Sequence, residues 1–343
     1  MAGATVAATD VVVIVVATLA VWKGSDWLEG ASDELSTYYG LPLVVQGAIV
    51  AAVGSSLPEL ASVVFAAVFA GSLELGVGAI VGSAIFNILV IPALAGIVTD
   101  DHIEANRTLV YKEAQFYMLA VSVLLITFAL AVIYYPDASA ATDLVGFVTR
   151  PLAAIPLALY GLYVFIQYQD TSDHVAEPPP ADLDVKKQWG YLLAGLVLIL
   201  VAVERLVHSV DVIGQSLGIP SFIMGVTILA AATSLPDSLV SVRAAREDRS
   251  VASLANVLGS NTFDLLVAIP VGVMIVGRAP IDFAMAVPMF GVLTGATILL
   301  FTVLRTDLSL TDREAYVLLL TYAIFIGWVV VETVSDVVDL LPN

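Results

Sequence analysis

The stretch Ser55-Ser56-Leu57-Pro58-Glu59 returns 178 residues later as Thr233-Ser234-Leu235-Pro236-Asp237. At the same offset Gly40-Leu41-Pro42 returns as Gly218-Ile219-Pro220, and Gly47 as Gly225. A second block, Gly82-Ser83-Ala84-Ile85-Phe86-Asn87, returns as Gly259-Ser260-Asn261-Thr262-Phe263-Asp264 at an offset of 177. A nearly constant offset across separate blocks marks a duplicated chain that has lost one residue between the blocks.

The sequence around these blocks sets their environment. Of 343 residues 59% are hydrophobic and only 13% charged, with a mean hydropathy of +0.98. Soluble domains carry roughly 45–50% apolar and about 25% charged residues, so an ordinary water-soluble enzyme is excluded. The charge is lopsided, 31 Asp and Glu against 13 Lys and Arg for a net −18, which disfavours nucleic acid as a partner. Without cysteine there is no disulfide framework, thiolate metal site or cysteine nucleophile.

A spanning helix needs about 20 mainly apolar residues. Ten such segments are expected: 8–29, 41–70, 73–98, 113–135, 146–167, 190–212, 219–246, 249–277, 281–304 and 313–337. The first lacks the basic start and small-residue cleavage site of a signal peptide, and Asp10 stands where positive charge would be expected. The acidic, proline-containing segment 169–187, with Pro178-Pro179-Pro180, divides the chain into five-span halves, 1–168 and 188–343.

With ten spans, Arg107, Lys112, Lys186, Lys187, Arg243, Arg246, Arg249, Arg305 and Arg313 fall on one side, against Arg150 and Arg278 on the other. The positive-inside rule makes the first side, linker included, cytoplasmic and both termini extracellular. An odd number of spans per half makes the second copy enter from the opposite face. The expected fold is an all-α membrane protein of two inverted five-helix repeats with broken helices at the midplane, a ground plan of secondary transporters. A duplicated scaffold without a site fits poorly, because the repeated residues are the polar ones.

Glu59 and Asp237 lie deep in apolar segments, where a charge costs at least about 2.5–3.5 kcal/mol and normally faces a cavity or a partner. Each follows a proline, so the carbonyls of Gly54 and Ala232 lose their helical donors and the helices should break beside the carboxylates. Ser56 and Ser234 sit three residues before these acids; Ser83 with Asn87, and Ser260 with Asp264, are spaced i,i+4. The set offers carboxylates, hydroxyls, an amide oxygen and backbone carbonyls, with no imidazole or thiolate. Hard oxygen ligands suit Ca²⁺, and Na⁺ by the same logic, and match zinc or copper poorly.

Other ionisable groups carry less. Glu204, Arg205 and His208 are expected to satisfy one another or to snorkel. His102 and His174 fall in loops, and Glu332, Asp336 and Asp339 at the last membrane exit. Arg243, Arg246 and Arg249 read as a topology anchor.

The blocks GSSLPE (54–59), TSLPD (233–237), GSAIFN (82–87) and GSNTFD (259–264) resemble the two alpha-repeats of the calcium/cation antiporter superfamily, closest to sodium/calcium exchangers of the prokaryotic type. The likeness covers all ten spans in outline and is specific over 40–66, 76–92, 218–244 and 253–269. It implies antiport of Ca²⁺ against Na⁺ by alternating access, with no enzyme chemistry, no bound cofactor and no obligatory protein partner. Carried over by position, it makes Glu59 and Asp237 the central Ca²⁺ ligands, completed by the backbone carbonyls of Ser55 and Thr233. Ser56, Ser83, Asn87, the carbonyl of Ala230, Ser234, Ser260 and Asp264 would line flanking Na⁺ sites.

The sequence departs from the pattern in two places. The second motif ends in Asp where many prokaryotic members have Glu, and Ala84 replaces an Asn often found there. The blocks also resemble potassium-dependent exchangers, in which an Asp at the position of Asp264 is linked to K⁺. Alternatives at this stage are a Ca²⁺/H⁺ antiporter, K⁺ co-transport, an ion channel on the same ligands, and an intramembrane aspartyl protease, whose GxGD pattern is missing. The acidic surface suggests a high-salt, halophilic prokaryotic habitat, because self-repulsion is screened there.

Overall fold

The computed structural model describes residues 2–40, 52–99, 103–107, 109–138, 140, 144–169, 183–247 and 249–334. The first half holds helices α1 (Ala2–Tyr38), α2 (Ala52–Ser55), α3 (Leu57–Phe65), α4 (Leu73–Val98), α5 (Ala114–Tyr134) and α6 (Arg150–Gln169). The second holds α7 (Val185–Leu217), α8 (Ser221–Met224), α9 (Ala230–Thr233), α10 (Leu235–Arg246), α11 (Ser250–Phe263), α12 (Ile269–Val276), α13 (Phe283–Asp307) and α14 (Asp312–Val334). Wider π-helical turns fill Ala66–Ala70, Leu109–Glu113, Gly225–Leu229 and Asp264–Ala268.

Among the described residues eight helices are long and apolar enough to cross a bilayer. The pair Ser221–Thr233 and Leu235–Arg246, bent by 44°, passes the same test together and makes nine when counted as one broken span. The segment expected at 41–70 is described from Ala52 onward and contributes the shorter apolar stretch Leu57–Ala70. The chain is therefore a mostly helical, multi-pass membrane protein. Leu41, Pro42 and Gly47, the linker core 170–182, His102, His174, Asp336 and Asp339 lie outside the described residues.

Two helices outrun their expected spans. The 8–29 segment is part of a helix reaching Tyr38, and the 190–212 segment part of one covering Val185–Leu217. The apolar run measures only the stretch in contact with hydrocarbon. Beyond it both helices continue as one-sided stripes, with Ala31 and Leu35 buried on α1, and Ile213 and Gly214 on α7. These two helices lie against each other at small residues. A Cβ on Gly195 would come within 2.6 Å of the Gly24 carbonyl oxygen, the close approach that glycine permits between membrane helices. Their buried side chains belong to a second apolar cluster that includes Val21, Ile199, Val203 and Leu206 and extends to Ala61, Leu75, Ala79 and Leu229 of the neighbouring helices.

The main cluster is built around α4 and is distinct from the α1–α7 layer. Of the most apolar window of Leu73–Val98, 83% is buried inside the protein, and of Ser250–Val276 72%, whereas the other long spans reach 22–39%. Helices apolar on every side belong in the middle of a bundle. The α4 helix crosses the bent span of the other half at almost no distance. A Cβ on Gly78 would lie 2.2 Å from the Phe222 carbonyl oxygen, one on Gly82 2.2 Å from that of Val226, and one on Gly225 2.2 Å from that of Leu75.

Short strands then tie the halves together reciprocally. β1 (Ile103–Glu104), after the third span of the first half, pairs antiparallel with β4 (Ser309–Leu310), before the last span of the second. β2 (Val145–Thr149), before the last span of the first half, pairs with β3 (Arg278–Asp282), after the third span of the second.

Candidate ion site

Both prolines stop their helices where the sequence predicts. The first break falls at Ser56 (φ −87°, ψ 7°), between α2 and α3. The second falls at Ser234 (φ −80°, ψ −4°), between α9 and α10. Pro58 and Pro236 occupy the first turn of the following helix, where a missing N–H costs least. Glu59 and Asp237 therefore lie in the first turns of new helices, which favour negative charge.

The crossing of α4 with the bent span, and of α11 with the first break, brings the four blocks to one place. Glu59, Asp237, Asp264, Asn87, Ser56, Ser83, Ser234, Ser260, Thr233 and Asn261 are all fully buried, and Ser55 and Ala230 nearly so. The bonds run between halves. Ser234 Oγ donates to Ser83 Oγ at 2.7 Å. The Ser55 and Ser260 hydroxyls meet at 3.1 Å, and Ser56 Oγ donates to the Ser260 carbonyl at 3.4 Å. Asn87 Nδ2 donates to Asp237 Oδ2 at 3.1 Å. The Thr233 hydroxyl lies beside Glu59 and that of Ser56 beside Asp264, but each gives its single proton to a backbone carbonyl, that of Leu229 at 3.1 Å and that of Ser260 at 3.4 Å.

What this network leaves over is an excess of acceptors. Glu59 Oε1 and Oε2, Asp237 Oδ1, Asp264 Oδ1 and Oδ2, and Asn87 Oδ1 are six buried oxygens with no hydrogen-bond donor. Among the described buried residues there is no Lys, Arg or His to balance them. A buried carboxylate without a donor or counter-charge is strongly unfavourable, so a cation or protons are required here. No group of three or more His, Cys, Asp or Glu residues forms a ready metal cage among the described residues. A cation would therefore draw on one or two carboxylates together with hydroxyl, amide and carbonyl oxygens.

Two residues in the network are not candidates from the repeat pattern alone. Asn261 accepts from Asn87 Nδ2 at 3.0 Å and donates to the Ala84 carbonyl (3.2 Å) and the Tyr117 hydroxyl (3.3 Å). Its signal was present, since it stands 177 residues after Ala84 and reaches back to that residue. Tyr117 is fully buried on α5, outside both blocks, and no pattern marks it. Tyr160, whose OH has no partner, is a further neighbour of Asp264.

The remaining ionisable residues stay outside. Glu204 pairs with Arg205 at 3.0 Å on a partly exposed surface. Adjacent residues can meet here because both long side chains reach out from the helix surface. Arg243, Arg246 and Arg249 are exposed.

Comparison with known proteins follows the same lines. The family described as "Sodium/calcium exchanger protein" matches residues 9–169 and 187–331. A protein of Alkalimonas amylolytica named as the antiporter CaxA is 30% identical over 264 residues, 77% of this chain and 79% of the relative. Human sodium/potassium/calcium exchanger 4 is 47% identical over 66 residues, 19% of this chain and 11% of that one. A solved structure of the sodium-calcium exchanger NCX_Mj has a TM-score of 0.63 at 23% identity, covering 94% of this chain and 99% of that one, and so shares the fold. With both halves matched by one family, the chain belongs to the sodium/calcium exchanger family.

Proposed function

We propose that the protein is a secondary antiporter that exchanges Ca²⁺ for Na⁺ across a cell membrane by alternating access. The observation that carries this reading is the set of six donor-less buried oxygens contributed by both halves of the chain. In this reading Glu59 and Asp237, with the carbonyls of Ser55 and Thr233, hold Ca²⁺. Ser56, Ser83, Asn87, the Ala230 carbonyl, Ser234, Ser260 and Asp264 hold Na⁺. The transported ions and the bilayer are the only partners the reading needs, and no bond is made or broken in the cycle.

Exchange follows from electrostatics. Ca²⁺ and Na⁺ compete for the same two carboxylates, and an empty site leaves those carboxylates unpaired in hydrocarbon, which penalises movement of the unloaded carrier. The two halves act as inverted repeats; the reciprocal pairing of β1 with β4 and of β2 with β3 supports this. The α1–α7 layer meets the rest of the protein through a second apolar cluster, distinct from the main core and reaching Ala61, Leu75, Ala79 and Leu229; such a smooth apolar seam supports a carrier in which one bundle slides past the other. Both termini are placed outside and the Lys- and Arg-rich loops inside, as the positive-inside rule requires. The net charge of −18 suits a halophilic prokaryote.

A second reading adds K⁺. Both Asp264 oxygens lack donors, and human sodium/potassium/calcium exchanger 4 is 47% identical over a stretch of 66 residues. The experiment is Ca²⁺ uptake into vesicles with Na⁺, K⁺ and H⁺ gradients imposed separately. Uptake driven by Na⁺ alone and lost in Glu59→Gln is expected. Uptake that follows a pH gradient without Na⁺, or normal exchange in Glu59→Gln, would overturn the assignment.

A further inference from the structure

Glu29 belongs to no repeated motif, yet its Oε1 is buried without a hydrogen-bond partner. One turn earlier on α1, Ser25 is 1% exposed and its Oγ is also unpartnered. The i,i+4 spacing puts both on one side of the helix. That side faces the start of the GSSLPE block: a Cβ on Gly54 would lie 3.9 Å from Glu29 Cγ and 3.1 Å from Leu28 Cδ2. The charged neighbours of Glu29 are Asp237, Asp26 and Arg243. The acid is thus a charged neighbour both of Asp237, at the ion site, and of the exposed Arg243.

The duplicated half supplies an internal control. At the 178-residue offset Ser25 corresponds to Val203 and Glu29 to Val207, both buried apolar side chains. Hydrocarbon is sufficient for packing at this place in the repeat, so packing does not explain the hydroxyl and the acid on α1. A carboxylate oxygen and a hydroxyl, both lacking donors and one turn apart, are ligands for a hard cation that keeps part of its water shell.

We propose that Glu29 and Ser25 form a passage site for the transported cation, between Asp237 and the face that carries Arg243, with no counterpart on the opposite face. The proposal rests on the antiport reading. Its signature is one-sided: the site is met by ions that enter from the Arg243 face, and not by ions that enter from the other.

The test is Na⁺/Ca²⁺ exchange in vesicles of known orientation, with half-saturating Ca²⁺ and Na⁺ concentrations measured on each face. Glu29→Gln is expected to raise both about tenfold on the Arg243 face, the loss of roughly one charge-assisted contact, and to leave the opposite face unchanged. Ser25→Ala should shift the same face in the same direction by less. Equal shifts on both faces, or none on either, would overturn the proposal and leave Glu29 as a packing acid. If Glu29→Gln does not yield a folded protein by gel filtration and melting, Glu29→Asp serves, with a smaller one-sided shift expected. Wild-type exchange is the separate check: its absence removes the antiport reading itself, whereas normal wild-type exchange with a symmetric mutant removes the passage site alone.

Discussion

The third span of each half descends from one ancestral segment, yet the two differ in charge and in backbone. Pro270 stands 178 residues after Pro92, one residue beyond the 177-residue offset of the block that precedes it. In the first half the helix runs unbroken from Leu73 to Val98 with Pro92 inside it. In the second it loosens into a π-helical stretch, Asp264–Ala268, just before Pro270. π-helical turns inside α-helices are frequent at functional sites, and this one begins at the acid. Asn87, the equivalent of Asp264, spends its amide on Asp237 and Asn261 and keeps one oxygen free, whereas Asp264 keeps two. Duplication therefore supplied two sets of buried polar groups, and divergence at this position left an amide in one half, bonded across to Asp237, and a carboxylate without donors in the other.

The largest effect should come from removing what the halves share. Glu59→Gln or Asp237→Asn, one acid from each half, is expected to drop Na⁺-driven Ca²⁺ uptake to the leak of empty vesicles. Residual exchange in one variant alone would show that the two acids are not equivalent. Next is the contact between halves. Gly82→Ala must displace a backbone carbonyl 2.2 Å from the new Cβ. Overpacking of this kind costs about 1–3 kcal/mol or more, so a marked fall in melting temperature, or failure to fold, is expected. Gly225→Ala, at the reciprocal contact, should match it, and unchanged melting in either would mean that the crossing is looser than it stands.

The charge difference itself is tested by exchange of identity. Asp264→Asn makes the second block resemble the first and should weaken exchange less than loss of Glu59. It should also remove any K⁺ requirement, read as the K⁺ dependence of Ca²⁺ uptake. Adding Asn87→Asp restores the formal charge but removes the donor to Asp237, so the double variant should not recover. Recovery would show that the two positions are interchangeable and that only total charge counts. The smallest effect concerns the surface: melting temperature should decline modestly as salt is withdrawn from about 1 M, because exposed charges then repel over a longer Debye length. Stability undiminished at low ionic strength would separate the acidic surface from any high-salt habitat.

Sequence reading goes furthest where the chemistry is local. Proline followed by an acid marks both helix breaks, because a missing N–H acts within its own turn. The polar residues of both blocks converge as the repeat leads one to expect. Reading falters with Asn261 and Tyr117, which matter only because another helix passes within reach. It also falters with Glu29, whose neighbourhood of polar residues on α1 looks like an ordinary solvated helix end.

The sequence alone determined the medium, the duplication and the list of candidate oxygen groups, since apolar length, repeat offset and side-chain chemistry are properties of the chain taken in order. Tertiary structure decided which of those oxygens are left without donors, how the two halves bond to each other across the site, and that an acid on α1 has both Asp237 and Arg243 as charged neighbours. These depend on distances across helices more than a hundred residues apart in sequence, set by the contacts of Gly78, Gly82 and Gly225 with the opposing backbone, and no local pattern encodes them.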